Sequence, residues 1–226
     1  MTDPWVVGAA LGAVLAVVLW ATRSVTPSGA LAGCGLTAVF LGAGGWGTLS
    51  AFGLLVVGGT WVSLLGRGRK PGRTRRRDAA QALANAGPAA ALLVCAPPDV
   101  AAVVAAAALG AAWSDTASSE VGLLARGRPR MLMVGPFVER GRDGGMTLLG
   151  TGAGLVAALM AGAIAAMFGG ISAMVPVVVG AVCGNIVDSA LGATVERRIC
   201  CYGNEVVNAL ASACGGSVAW LLAGGT

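Results

Sequence analysis

All 15 lysines and arginines of this chain fall into four groups, and long apolar runs separate the groups. Arg23 stands alone. Arg67, Arg69, Lys70, Arg73, Arg75, Arg76 and Arg77 form the second group. Arg126, Arg128, Arg130, Arg140 and Arg142 form the third, and Arg197 with Arg198 the fourth. This spacing is incompatible with a soluble surface. Only 11% of residues are charged and 56% are hydrophobic, whereas a water-soluble domain carries about 25% charged residues.

Crossing a bilayer takes about 20 apolar residues, with a range of roughly 17–25. By that measure spans are expected at Pro4–Ala21, Gly29–Ala43, Thr48–Leu65, Ala79–Ala96, Asp99–Trp113, Thr147–Phe168, Ile171–Ala193 and Glu205–Leu222. The total is about eight, and seven to nine fit, because the second and fifth are short. With eight, every basic group follows an odd-numbered span. The intervening turns, Ala43–Gly47, Pro97–Pro98 and Gly169–Gly170, carry no Lys or Arg. The positive-inside rule then puts the loops 66–78, 114–146 and 195–204 in the cytoplasm and both termini outside. The fold class expected is all-α: a polytopic transmembrane helical bundle, one domain over residues 1–226, in the plasma membrane.

The net charge of +5 sits in these loops, so it reads as a topology signal, and no nucleic-acid partner is expected. The basic run from Arg67 to Arg77 fits a lipid-surface determinant or a direct substrate role. With no histidine and no CxxC among the six cysteines, a Cys/His zinc site is excluded and no disulfide framework is expected. The N-terminus has Asp3 where a signal peptide would be basic, so the first apolar segment reads as a retained helix. The small-residue pairs Gly8/Gly12 and Gly180/Gly184 permit close helix contacts within one chain or in a homo-oligomer.

Ten acidic residues occur, and all but Asp3 and Asp99 lie on the basic side or at helix ends facing it. Three clusters stand out. The first, residues 114–122, carries Asp115, Thr116, Ser118, Ser119 and Glu120 just after the fifth span. Its oxygens suit a hard cation such as Mg²⁺, or cap a loop helix. If helical, Asp115 stacks on Ser119 and Thr116 on Glu120. The second, Arg140 to Thr147, sets Gly144 and Gly145 beside Arg142 before the sixth span. It suits a phosphate cradle at a helix start or a flexible turn. The third puts Asn185, Asp188 and Gly192 on one face of the seventh span. An intramembrane aspartate costs about 2.5–3.5 kcal/mol on insertion scales and commonly serves function; pairing with an arginine from another loop is the structural alternative. Asn204, Glu205 and Asn208 enter the last span, and Asp78, Gln81 and Asn85 the fourth. Such a mixture suits a metal-bound polyphosphate meeting a lipid phosphate.

At these clusters the chain resembles the phytyl-phosphate kinase family of integral membrane proteins. Residues 114–122 are similar to its ADTxASExG signature. In the same order come Pro129, the stretch 144–151, residues 187–194 and Asn204 to Asn208. Arg77 with Gln81 to Asn85 resembles the family's entry to a helix. The likeness covers roughly residues 70–222; the first three spans match only by hydropathy. Ser114 replaces the family's usual alanine, and the loop Arg140–Asp143 is more charged than its counterpart.

The resemblance implies phosphoryl transfer from a nucleoside triphosphate, typically CTP, to an isoprenyl monophosphate such as phytyl or geranylgeranyl phosphate. Asp115, Glu120 and Asp188 are then the expected catalytic, Mg²⁺-holding carboxylates. Gly144 and Gly145 would let the backbone approach a phosphate, with Ser118 beside them. Arg77, Arg128 and Arg142 would bind anionic oxygens, and Asn85, Asn185 and Asn208 would orient substrate or metal water. Two rivals remain open: a cytidylyltransferase resembling CDP-lipid synthases, and a lipid- or ion-coupled transporter.

Overall fold

The computed structural model describes residues 2–65, 76–195 and 203–224. Of the expected loops, 66–75 and 196–202 lie outside these, and with them Arg67, Arg69, Lys70, Arg73, Arg75, Glu196, Arg197 and Arg198.

The described chain is an all-α bundle. Its helices are α1 (Pro4–Ala21), α2 (Pro27–Gly53), α3 (Gly59–Leu65), α4 (Ala79–Cys95), α5 (Pro98–Gly122), α6 (Leu148–Gly169), α7 (Met174–Thr194) and α8 (Gly203–Ala223). A π-helical turn, Leu54–Gly58, joins α2 to α3. Local sequence sets most of the starts. Asp3, Thr26, Asp78 and Thr147 each accept a backbone N–H of the first turn on a side-chain oxygen, which satisfies a donor the helix leaves free. Pro4, Pro27 and Pro98 occupy first-turn positions where no N–H is needed.

Within α2 the chain folds back on itself. Gly45 has φ 70° and ψ −168°, a backbone open to glycine because it lacks Cβ. Across it the Thr48 hydroxyl donates to the Phe40 carbonyl at 2.6 Å, and the Phe40 and Phe52 rings stack with centroids 4.9 Å apart. Twelve residues of straight helix would separate those rings by about 18 Å. Residues 27–44 and 46–65 are therefore two arms of a helical hairpin.

Among the described residues six stretches, rather than the eight expected, are long and apolar enough to be counted as bilayer crossings. The difference is local: residues 27–65 count as one stretch of 39 residues, and α4, with 17 residues, lies at the lower edge of the spanning range and is not among the six. A second difference lies in α5. It runs 25 residues to Gly122 instead of ending near Trp113, so residues 114–122 are helix and not loop. Nothing breaks the helix there. Thr116, Ser118 and Ser119 donate their hydroxyls to carbonyls three or four residues back, which keeps polar residues inside a helix.

α5 is the centre. α4, α6, α7 and α8 pack around it, with α2 and α3 on a further side, and Val104, Ala105, Ala107, Ala108 and Leu109 are fully buried. Small residues let these backbones approach. Gly180 and Gly184 of α7 lie against α8 and the alanines of α5, and Gly8 and Gly12 of α1 against α2; both pairs are used within the chain. Outward faces carry Val14, Leu31, Val57, Val94, Leu155, Met167 and Leu221, as a lipid-facing surface does.

The bundle has two unlike ends. At one, Gly47 meets Phe168 and Gly224 meets Val100. At the other, Gly59 meets Arg77 and Thr116, Gly150 meets Ser118, and Gly144 meets Ala193. A two-stranded antiparallel ribbon, β1 (Arg130–Met131) with β2 (Gly145–Met146), also lies at this second end; the all-α expectation did not include it.

Candidate functional site: a polar cavity at one end of the bundle

Four helices and the ribbon line an open cavity of about 110 Å³ at the polar end. α5 contributes Asp115, Ser118, Ser119 and Gly122; α7 contributes Asp188, Ser189 and Gly192. The start of α6 contributes Thr147, Gly150 and Thr151, and the start of α8 contributes Asn204 and Asn208. Pro129 and residues 140–146 form the remaining wall. α5 and α7 thus arrive with their C-terminal ends, carrying carboxylates. α6 and α8 arrive with their N-terminal ends, which favour anions. One chamber is therefore suited to a cation and to phosphate side by side.

Beneath its floor, α5, α6 and α7 are tied by a buried hydrogen-bond chain. Ser114, fully buried, donates to the Gly154 carbonyl at 2.9 Å and accepts from Asn185 Nδ2 at 2.9 Å. Ser118 donates to Asn185 Oδ1 at 3.2 Å. Ser114 gives its one proton to Gly154 and so accepts from the amide nitrogen, which fixes the amide orientation; Ser118 shares its proton between Asn185 Oδ1 and the Asp115 carbonyl at 3.0 Å. Gly154 has no room for Cβ, which would lie 2.6 Å from Asn185 Nδ2. The chain sets the height of α7 against α5, and so of Asp188 against Asp115. Asn185, expected to orient substrate, is in this structural chain instead of on the cavity wall.

The other expected residues divide. Asp115, Ser118, Arg142, Gly144, Gly145, Asp188 and Asn208 share the cavity. Gly144 has φ 73° and sits where Cβ would strike Ala193, so this position demands glycine. The Gly145 N–H is engaged by the Arg142 carbonyl at 2.9 Å, which turns the loop instead of leaving that donor for a phosphate. Arg128 is exposed on the loop and Asn85 donates to its own helix at Gln81; neither is on the cavity wall.

Glu120 and Arg77 form a separate centre. Five residues along a helix place Glu120 about 140° around the axis from Asp115, toward α3 and α4. Arg77 is held by its backbone between Ser24 and Thr26. Its guanidinium reaches Ser63 at 3.4 Å and lies against Gly59. Burial lowers its pKa and the Glu120 charge raises it; arginine stays cationic throughout. The spacing was available in the sequence: Thr116 over Glu120 and Asp115 over Ser119 are two different faces.

Among the described residues no three Cys, Asp or Glu side chains converge as a metal cage. Mg²⁺ does not need one. It binds through one or two carboxylates, waters and substrate phosphates, and the cavity offers Asp115 and Asp188 with hydroxyl and amide oxygens around them. The donor set fits the ion in kind. Arg140, Asp143, Thr147, Thr151, Ser189 and Asn204 also line the cavity. All six lie in stretches the sequence singled out, 140–151, 187–194 and 204–208, but were given no role of their own there.

These features define a class: a polytopic helical membrane protein with an oxygen-rich polar cavity at one end of its bundle. The chain belongs to the family described as integral membrane protein DUF92, which it matches over residues 10–220. It is 38% identical over 115 residues to an uncharacterized membrane protein, MJ0933, of Methanocaldococcus jannaschii, a stretch covering 50% of this chain and 48% of that one. It is 33% identical over 107 residues to Protein PGR of Arabidopsis thaliana, covering 41% of this chain and 37% of that one. The chain therefore aligns with less than half the length of either relative. No solved structure matches it.

Proposed function

We propose that this protein is a prenyl-phosphate kinase, which transfers the terminal phosphoryl group of a nucleoside triphosphate, CTP favoured, to an isoprenyl monophosphate. The observation that carries this is the pairing of Asp115 and Asp188, from separate helices, in one cavity with the N-terminal ends of α6 and α8. The resemblance of residues 114–122, 144–151 and 187–194 to the phytyl-phosphate kinases supports the same reading.

The reaction needs little from the protein beyond positioning and charge. The acceptor is a phosphate monoester, mostly ionised near neutral pH because its second pKa is about 6. One of its oxygens attacks the terminal phosphorus, the bond to the bridging oxygen breaks, and a nucleoside diphosphate and prenyl diphosphate result; no general base is required. Bound Mg²⁺ would neutralise charge developing on the phosphate oxygens. Asp115 and Asp188 would hold it. Arg142 and Arg140 would bind non-reacting oxygens, and Thr147 and Asn208 would orient them. The acceptor's tail would lie among the apolar helix faces.

In this reading the polar end faces the cytoplasm, both termini face out, and the α2 arms and α4 join the six long stretches to give about eight passes, following the positive-inside rule. The test is purified protein with Mg²⁺, each of four nucleoside triphosphates and a set of prenyl monophosphates, analysed by mass spectrometry. A nucleoside diphosphate with a prenyl diphosphate is expected. Pyrophosphate with a CDP-lipid would identify a cytidylyltransferase instead. Nucleotide-independent uptake into liposomes, without either product, would identify a transporter.

A further inference from the structure

Between α5 and α6 the chain makes a ribbon whose tip is of the wrong chemistry for water. Its base is polar and lines the cavity wall. Its tip reads Met131-Leu132-Met133-Val134-Gly135-Pro136-Phe137. Val134 is 86% exposed and Phe137 56%. The tip is not a loose loop. Leu132 donates to the Gly144 carbonyl at 3.0 Å, Met131 to Pro136 at 3.0 Å, and Gly135 to Met131 at 2.7 Å. Leu132 and Met133 have φ 48° and 69°, the left-handed region that bulky side chains seldom enter and that persists only where the surroundings impose it. The fold thus holds an apolar tip outward at a conformational cost.

Two neighbouring features say what covers it. The Thr151 hydroxyl meets the Met133 sulfur at 3.6 Å, which seats the tip beside the first turns of α6. There Leu148 is 80% exposed and Leu149 half exposed, so tip and helix share one outward apolar face at the end of a membrane-crossing segment. Three exposed arginines, Arg126, Arg128 and Arg130, lead into the tip, with no acidic residue among positions 121–138. Arg130 lies over the Phe137 ring, 4.3 Å from its centroid. An apolar tip flanked by cations, in line with a lipid-facing helix, matches the interface of an anionic leaflet. There apolar side chains enter the acyl boundary and arginines stay at the headgroups.

We propose that the 131–137 tip is seated in the bilayer, with Val134 and Phe137 at the acyl boundary and Arg126, Arg128 and Arg130 on anionic lipid headgroups. Gly144, whose carbonyl Leu132 bonds, and Thr151, which meets Met133, are cavity wall, so the bilayer itself holds one wall of the cavity in place. This goes beyond the kinase reading and does not depend on it.

The test places an environment-sensitive fluorescent amino acid at position 134 of the full chain. The protein is reconstituted in phosphatidylcholine vesicles with or without phosphatidylglycerol. Brominated acyl chains and aqueous iodide serve as opposing quenchers. The same probe at Val156, exposed halfway along α6, reports correct insertion. Brominated lipid is expected to quench position 134 more than iodide does, with a blue shift that grows with phosphatidylglycerol. Arg126→Gln with Arg130→Gln should remove the growth while position 156 stays unchanged. Quenching of position 134 by iodide alone, or a shift that follows protein concentration rather than lipid charge, as a second copy of the chain would produce, overturns the proposal.

Discussion

Asp115 and Glu120 are five residues apart on one helix, and the protein treats them as different materials. Asp115 faces a chamber with Asp188, amides, hydroxyls and two helix N-termini. Glu120 faces Arg77, whose guanidinium reaches Ser63 of α3 and whose backbone is bonded to Ser24 and Thr26. One face of α5 presents oxygens to an open cavity. The opposite face carries a charge whose countercharge is built in. A single acidic signature therefore has two jobs, and a polar run in a membrane helix has to be divided by face before roles are assigned to it.

The largest effect that could break this contrast concerns turnover. Asp188→Asn, and likewise Asp115→Asn, should lower prenyl-phosphate kinase activity by about 10²–10³-fold or more, as loss of a transition-state charge partner does, with the melting temperature in detergent unchanged. Glu120→Gln should keep most of its activity; a loss matching that of Asp188→Asn would dissolve the distinction between faces. Next comes ligand-linked stability. Nucleotide with Mg²⁺ at a hundred times its dissociation constant should stabilise the wild type by about 2.7 kcal/mol. That gain should vanish with EDTA and in Asp188→Asn, and persist in Glu120→Gln; calorimetry or thermal-shift measurements report it. Glu120→Gln should instead destabilise the protein by about 1–3 kcal/mol, because Arg77 keeps a partly buried charge with less to face. Arg77→Met in the same background should recover part of the loss, a double-mutant cycle that isolates the pair. The smallest effect sits under the cavity. Gly154→Ala crowds Asn185 and should cost about 1–3 kcal/mol, with a secondary loss of nucleotide affinity because Asp188 moves with its helix. An unchanged affinity would mean that the Ser114–Asn185 chain sets stability and not the register of the carboxylates.

Much of this was legible in the residues. Apolar run lengths marked the helices, and Ala43–Gly47 marked the bend that Gly45 makes; the caps at Asp3, Thr26, Asp78 and Thr147 came only with the structure. The convergence of residues 115, 120, 144 and 188 was expected because their polar groups gather on one side of an otherwise apolar chain; 115, 144 and 188 line one cavity, and 120 does not. What went unread has physical causes. The end of α5 was set at Trp113 because hydropathy falls there; yet hydroxyls satisfied on their own helix do not end it. Asn185 looked like a ligand residue, and nothing local says that Ser114, 71 positions away, would claim its amide. The ribbon at 130–146 rests on pairing between distant residues, which has no helical period to betray it. Glu120 was grouped with Asp115 by nearness in sequence where angle around the axis decides.

The helix that carries the site is also the one least suited to lipid. Within its most apolar window α5 is 78% covered by its neighbours, and its mean hydropathy of 1.5 is the lowest among the six long stretches. Side chains as small as alanine gain little from hydrocarbon, so α5 gains its place from the company of other helices. During biosynthesis its settling in the bilayer is accordingly coupled to the arrival of α6, α7 and α8, translated after it. The chamber can close only once α8 has been made, and a ribosome stalled before it leaves the cavity without the wall that Asn204 and Asn208 supply.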